Sequence, residues 1–368
     1  MLTQCPAIPA VFLLDAGAGQ QPYLSRTSNL KRRLERLLRP VHGPSRMLNL
    51  RGIARALRYW PATSALAASL TLWEQARSHY PDRHRRMLRL RLPYYVVLLM
   101  EDRFPRAVVS REPGPPEMAY GPFATRAAAE EFLAPLLDLV QLRRCEESLE
   151  PHPEHPGCIY GEMAMCLRPC QAMVDDRTYR SEARTLLAVL ATRGESLREQ
   201  LQRERDSASE DMDFERAARV HKRLTKLSGA FPASARWTGL LASLHGVAVT
   251  LGPSPDVALL WPMTAGHLQQ PLAISGANLD AEPLRGALRS RLLQPLVHPS
   301  STQQELLAIF GKWLRSTWCD GLWVEVNDGG ELPVRKLRNA IRRMTTTILP
   351  EQQETAESEE TQDAAGNL

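Results

Sequence analysis

Cys145-Glu-Glu-Ser, Cys158-Ile-Tyr and Cys166-Leu-Arg-Pro-Cys170 set four cysteines in the spacing C-x12-C-x7-C-x3-C. Four of the six cysteines of the chain fall in this one segment. Between the first two lie His152, Pro153, His155, Pro156 and Gly157, the composition of a loop. A loop without a hydrophobic period needs another source of order, and four thiolates gathered on a metal centre supply one. Spacing and ligand type allow an iron–sulfur cluster or an all-cysteine zinc site. His152 and His155 keep a mixed Cys/His zinc site open, and two disulfides are the remaining reading of the same four residues.

Composition narrows the setting. The 368 residues carry a net charge of +5, unevenly placed. From Glu351 to Leu368 there are six acids and no base, so the rest of the chain carries about +11, most of it from arginine. Guanidinium groups suit phosphate recognition, and an Arg-rich body is compatible with nucleic acid. No apolar run reaches membrane-spanning length, and the first residues lack the basic and apolar regions of a secretory signal. A cytoplasmic protein without a membrane partner is expected. Disulfides are rare there, and clustered cysteines favour metal.

Residues 8–14 form a short apolar strand, Gly17-Ala-Gly19 a turn, and Tyr23-Leu24 a second strand: a hairpin. A helix follows, with Leu30, Leu34, Leu37 and Leu38 on one face, Arg32, Arg33 and Arg36 elsewhere, and Thr27 or Ser28 as its cap. A second helix over 64–79 is apolar through Leu66, Leu70 and Trp73. Arg83, Arg85, Arg86, Arg89 and Arg91 then make a basic run suited to a phosphate backbone.

These opening elements resemble a GIY-YIG nuclease module, that of the UvrC family of bacterial nucleotide excision repair. Where the family reads Gly-Val-Tyr, Tyr-Val-Gly and Lys-Ala-Lys-Asn-Leu-Arg-Lys-Arg, this chain has Ala10-Val11-Phe12, Tyr23-Leu24-Ser25 and Arg26-Thr27-Ser28-Asn29-Leu30-Lys31-Arg32-Arg33. The resemblance implies catalytic roles for Tyr23 and Arg33, with Arg26 beside them, and DNA contact through Arg32, Arg83, Arg85 and Arg86. It also implies a glutamate that holds a divalent metal. That position is Leu72 here, and leucine cannot bind Mg²⁺, which takes oxygen ligands. Glu74 lies two residues on, about 200° around the helix. Phosphodiester cleavage without metal loses its Lewis acid. A degenerate nuclease fold is expected; the alternative is an active structure-specific DNA endonuclease whose Mg²⁺ site is rebuilt from Glu74 and His84.

The resemblance continues downstream. Phe104-Pro105 and Tyr120-Gly121-Pro122-Phe123 are similar to UvrC segments, with Gly121-Pro122 expected as a tight turn before a helix over 126–140. That helix leads into Leu142-Arg143-Arg144-Cys145. In this family the four cysteines, here Cys145, Cys158, Cys166 and Cys170, hold a 4Fe-4S cluster, with zinc the alternative. Residues 176–201 read as helical. Phe214-Glu215-Arg216-Ala217-Ala218-Arg219 then resembles the UVR motif, a helical hairpin that pairs with a UvrB-like helicase subunit. Phe214, Glu215, Ala217, Ala218 and Arg219 are its expected partner-binding residues, the two alanines allowing close approach of its helices.

From Trp237 onward strands are expected at 240–251, 257–261, 272–275 and 323–326, and a helix at 302–318. This is weakly similar to the start of the RNase-H-like half of UvrC, without an aspartate set for two metals and without helix-hairpin-helix repeats. The fold class expected is α+β and multidomain: a GIY-YIG-like domain over 1–102, a Cys-cluster domain over 103–182, a helical region over 183–230, a C-terminal α/β domain over 231–349 and a disordered acidic tail over 350–368. Three functions fit: a weakly active or inactive UvrC-like DNA-binding scaffold, an active endonuclease, or a cluster-bearing regulatory binder.

Overall fold

The computed structural model describes residues 5–17, 19–40, 48–231, 237–275, 281–292, 300–317, 319–326 and 332–346. The acidic tail lies outside the described residues. In chain order the elements are β1 Ala10–Asp15, β2 Tyr23–Thr27, α1 Leu30–Leu38, β3 Ala56–Pro61, α2 Ala65–His79, α3 His84–Met87, β4 Tyr94–Leu99, β5 Arg106–Ser110, β6 Ala119–Phe123 and α4 Arg126–Leu137. Then come α5 Ile159–Glu162, α6 Asp176–Ala191, α7 Glu195–Glu210, α8 Phe214–Ala230, β7 Gly239–Leu240, β8 Gly246–Leu251, β9 Val257–Thr264, β10 His267–Leu268, β11 Leu272–Ser275, α9 Ala281–Leu292, α10 Ser301–Leu314, β12 Gly321–Glu325 and α11 Val334–Thr346. The fold is α+β, and the paired strands among the described residues are antiparallel.

The first sheet runs β2-β1-β3. Side chains alternate across it: Ala10, Phe12 and Leu14 pack with Leu30, Leu34 and Leu37 of α1. The expected cap of α1 is corrected. Asn29 occupies it and accepts from the Arg32 backbone N–H at 3.0 Å, while the Thr27 hydroxyl accepts from the Asn29 N–H.

A second sheet, β5-β4-β6-β7, carries α4. Gly121-Pro122 lies inside β6, not in a tight turn. A Cβ on Gly121 would meet the Tyr95 ring at 2.9 Å and the Tyr94 carbonyl at 3.1 Å, so close strand contact is what requires glycine there. The helix expected over 176–201 is two helices. Arg193 and Gly194 both take positive φ, +51° and +89°, and turn α6 into α7.

The third sheet runs β12-β8-β9-β10, with β11 also on β9. Its two faces do different work. One face, through Val247, Val249, Leu260 and Val324, packs on α9 and α11. Ala248, Trp261 and Met263, from the alternate positions, share a core with Leu307, Phe310 and Trp313 of α10, Tyr95 and Val97 of β4, and Leu66, Leu70 and Trp73 of α2. Elements from the two ends of the chain thus share one core.

Glu305 of α10 joins them by hydrogen bonds. It is 3% exposed and receives Trp73 Nε1 at 2.7 Å and Arg85 Nε at 2.6 Å, with His84 Nε2 at 2.9 Å. Burial alone raises this carboxyl. The hydrogen bonds from Trp73, Arg85 and His84 outweigh it and hold Glu305 below the usual carboxylate range. Its folded value lies below its unfolded one, so the contribution is complete above the unfolded pKa and is lost as pH falls through the folded pKa. Glu305→Ala is expected to cost about 2–3 kcal/mol at neutral pH, since it leaves the buried Trp73 indole N–H and the His84 ring nitrogen without their partner. Urea unfolding measures this, and a loss under about 0.5 kcal/mol would show that Glu305 does not tie the two ends together.

Candidate functional site

The four cysteines of the opening motif converge. Cys145, Cys158, Cys166 and Cys170 line one small common cavity together with Arg143, Arg144, Leu149, Tyr160 and Arg168. Cys145 follows the end of α4 through the buried Leu139, Val140 and Leu142. Cys158 is the residue before α5, and Cys170 sits in a 3-10 turn over Pro169–Gln171. Arg168 and Ala172, either side of that turn, are left-handed.

Backbone contacts hold this loop where hydrophobic packing does not. The His152 N–H donates to the Cys170 carbonyl at 2.9 Å and the Leu167 N–H to that of Gln141 at 3.2 Å; the Gln141 side-chain amide donates to the Ala164 carbonyl at 2.8 Å. Arg143, 6% exposed, donates to the Phe104 and Glu147 carbonyls at 3.1 and 2.8 Å. Its backbone N–H donates to the Tyr179 hydroxyl, which donates to the Pro105 carbonyl. Arg144 lies over the Tyr160 ring and binds Asp138 at 2.7 Å, and Asp138 also takes Lys226 of α8 at 2.7 Å. The cavity is thereby tied to the hairpin. Sequence reading placed Arg143 and Arg144 only as a run into Cys145; an arginine pair directly before a ligand-type cysteine was the signal available.

The histidines are used differently from a mixed zinc site. Nδ1 of His152 accepts from the Glu154 N–H and Nδ1 of His155 from the Gly157 N–H, and neither residue lines the cavity. All six cysteines are free, so the disulfide reading has no counterpart. Burial, then the neighbouring cysteines, pushes the Cys166 thiol up to about 11, and Cys170 rises for the same causes. Among the described residues no group of three or more His, Cys, Asp or Glu is arranged to hold a metal ion. The surface around them is acidic. Glu146, Glu147, Glu150, Glu154, Glu162 and Asp175 are exposed, against one exposed base, Arg168.

The nuclease-like residues are only partly brought together. Arg33 Nη2 donates to the Tyr23 hydroxyl at 3.2 Å on the α1 side of the first sheet. Arg26, three residues from Tyr23 on β2, points to the opposite side and reaches Ser69 of α2 at 3.4 Å. Phe12 is fully buried. Leu72 is half-buried on α2, and Glu74 is exposed. His84 is buried and committed to Glu305 and the Pro81 carbonyl, so it does not pair with Glu74. Among the proposed DNA contacts, Arg32, Arg83, Arg85 and Arg86 are all exposed, while Arg83 also lies over the Tyr80 ring and Arg85 is bound to Glu305.

In the hairpin, Leu197 and Leu201 of α7 face Val220, Leu224 and Leu227 of α8 in one core with α4 and α6. Asp213 caps α8 by accepting from the Arg216 N–H. Phe214 is 72% exposed and Met212 74%. Ala217 is half-buried, but Ala218 is exposed, as are Glu215 and Arg219. Ala218 therefore belongs to the outer face and not to the seam between the helices.

Residues 93–189 match the family described as the UvrC/Cho excinuclease middle domain, and residues 195–230 match the UvrB/uvrC motif. The chain is UvrC-like. The cysteine cavity lies within the first match, and the second spans α7 and α8. The UvrABC system protein C of Gloeobacter violaceus is 27% identical over 308 residues, 81% of this chain and 48% of that protein. That of Pseudomonas syringae is 27% identical over 230 residues, 61% of this chain and 37% of that protein, and that of Moorella thermoacetica 24% over 225 residues, 61% and 36%. The chain thus spans less than half the length of these relatives. No solved structure matches it.

Gly157 gives the cavity a direct test. Its φ is +75°, and a Cβ there would stand 2.8 Å from Gln171 Nε2, whose amide donates to the His155 carbonyl. Gly157→Ala is expected to cost about 1–2 kcal/mol through the left-handed backbone alone and to open the cysteine loop first. Protease cleavage between 145 and 175 should accelerate in the variant; an unchanged rate would show that the loop geometry is not held as described.

Proposed function

We propose that this UvrC-like chain is a DNA-binding accessory or scaffold of nucleotide excision repair in which the nuclease-like module does not cut. The observation that carries this reading is Leu72: where the resemblance requires a metal-holding glutamate, α2 presents a half-buried leucine. Magnesium would supply Lewis-acid stabilisation of the scissile phosphate, but the residues present do not fit it. Glu74 is on another face, and His84 is bound to Glu305. Tyr23 and Arg33 are still hydrogen-bonded to each other, so the module retains the framework of a phosphate-facing pair without its metal ligand.

Four cysteines lining one cavity support a 4Fe-4S cluster as the group held there. Cys145, Cys158, Cys166 and Cys170 would hold it, with Arg143, Arg144 and Arg168 offsetting the charge of four thiolates. Four thiolates also suit an all-cysteine zinc site, and metal analysis separates the two. The role of the cluster here is order in a loop that has little core of its own. The exposed face of α8 supports a second contact. Phe214, Glu215, Ala218 and Arg219 form the accessible part of a UVR hairpin, suited to pairing with the matching helices of a UvrB-like subunit.

Two outcomes are expected. Incubated with supercoiled plasmid or flapped DNA and Mg²⁺ or Mn²⁺, the protein leaves the DNA uncut. A robust incision abolished by Tyr23→Phe or Arg33→Ala would overturn the scaffold reading in favour of an active endonuclease. Phe214→Ala should weaken capture of a UvrB-like protein about tenfold or more, the loss of one exposed aromatic anchor, without moving the urea midpoint. Undiminished capture would remove α8 from the interface.

A further inference from the structure

α11 carries five cations and no acid: Arg335, Lys336, Arg338, Arg342 and Arg343. Its other side is spent on the fold. Val334, Leu337, Ala340 and Ile341 are buried against the third sheet in one cluster with Leu284 and Leu288 of α9. At 100° per residue, Arg335, Arg338 and Arg342 form one flank, Lys336 and Arg343 the other, and Asn339 lies between. Arg335 and Arg342 stand about 10 Å apart along the axis. Arg335, Lys336, Arg342 and Arg343 are exposed and Arg338 half-buried. The side chains of Arg335, Lys336, Arg338 and Arg342 make no hydrogen bond or ion pair with a described residue.

The neighbouring helix extends this surface. On α9, Arg285 and Arg289 are exposed, and the single acid, Glu282, is paired with Arg285 at 2.7 Å. Glu325 of the adjoining β12 shares the strand face of Trp323, which packs on the α10 side, and so points away from α11. The basic run at 83–91 is also exposed, but Arg85 there is held by Glu305 and Arg83 lies over the Tyr80 ring, and the cysteine segment is acidic.

We infer that the outer face of α9 and α11 is where this chain grips a nucleic-acid phosphate backbone. The inference rests on the DNA-binding reading above and gives that reading a surface. A lipid surface does not suit the same helix, because membrane-lying amphipathic helices bury their apolar side in the bilayer, and that side of α11 is already in the core. Arginine and lysine rows carry charge but no base-reading pattern, so binding is sequence-independent and strongly salt-dependent.

The test is fluorescence anisotropy of the full chain with a labelled duplex across a salt series. The wild type should show a steep fall of affinity with salt. Arg335→Gln with Arg342→Gln should reduce the log–log slope by about two, near 0.9 for each phosphate that is no longer neutralised, and weaken binding at least tenfold at low salt, with an unchanged circular dichroism spectrum. A wild-type slope preserved in this double variant, or reduced instead in Arg83→Gln with Arg86→Gln, would overturn the assignment to α11 while leaving DNA binding intact. Binding to phosphatidylserine vesicles in preference to the duplex would also overturn it. No duplex binding by the wild type at any salt would defeat the DNA-binding reading itself.

Discussion

Four thiols around one cavity are the constraint on which the middle of this protein depends. The segment from Cys145 to Cys170 contributes few core side chains; Gly161, Cys166, Pro169 and Cys170 are its buried residues. The surrounding order is imported. Arg143 and Tyr179 lock the entry to the loop against the carbonyls of Phe104 and Pro105, and Asp138 links Arg144 to Lys226 of the hairpin. Where metal binding completes such a loop, its binding free energy is folding free energy. The link through Asp138 makes the cysteine loop and α8 mechanically one unit, so a disturbance of the loop is expected to reach α8.

At the other end of the molecule the nuclease-like elements serve as a packing surface for the C-terminal region. α2, which in the resemblance carries the metal ligand, is held near both ends by the C-terminal region. Asp320 accepts from the Ala65 N–H at its start, and Glu305 accepts from Trp73 toward its end. His84 and Arg85, which sequence alone offers as metal ligand and phosphate contact, are consumed by the same Glu305. Accessible positive charge is found both on the basic run that holds Arg85, at Arg86 and Arg89, and on the helices of the third sheet.

The parts legible in the sequence were those governed by local patterns. Helix α2, with Ser64 as its cap, and strand β11 follow from apolar periodicity and turn residues, and the cysteine spacing gathers its four ligand-type residues as the sequence implies. The break between α6 and α7 was hidden because Gly194 reads as a tolerated glycine within a helical pattern, while Arg193 in a left-handed conformation leaves no signal. Gly121 reads as a turn glycine when the cause is a neighbouring tyrosine ring. Glu305 could not be read at all: its partners Trp73 and Arg85 lie 232 and 220 residues away. α11 went unseen because cations outnumber the apolar residues of its narrow buried stripe.

The nature of the group within the cysteine cavity decides most directly between these roles. Protein purified without oxygen should be brown, with a broad absorption near about 400 nm from thiolate-bound iron, and should contain iron and acid-labile sulfide in equal amounts, about four of each per chain for a 4Fe-4S cluster. Both should be lost when Cys166 or Cys170 is replaced by serine. A colourless protein holding one zinc ion, or one free of metal with the loop still ordered, would contradict it.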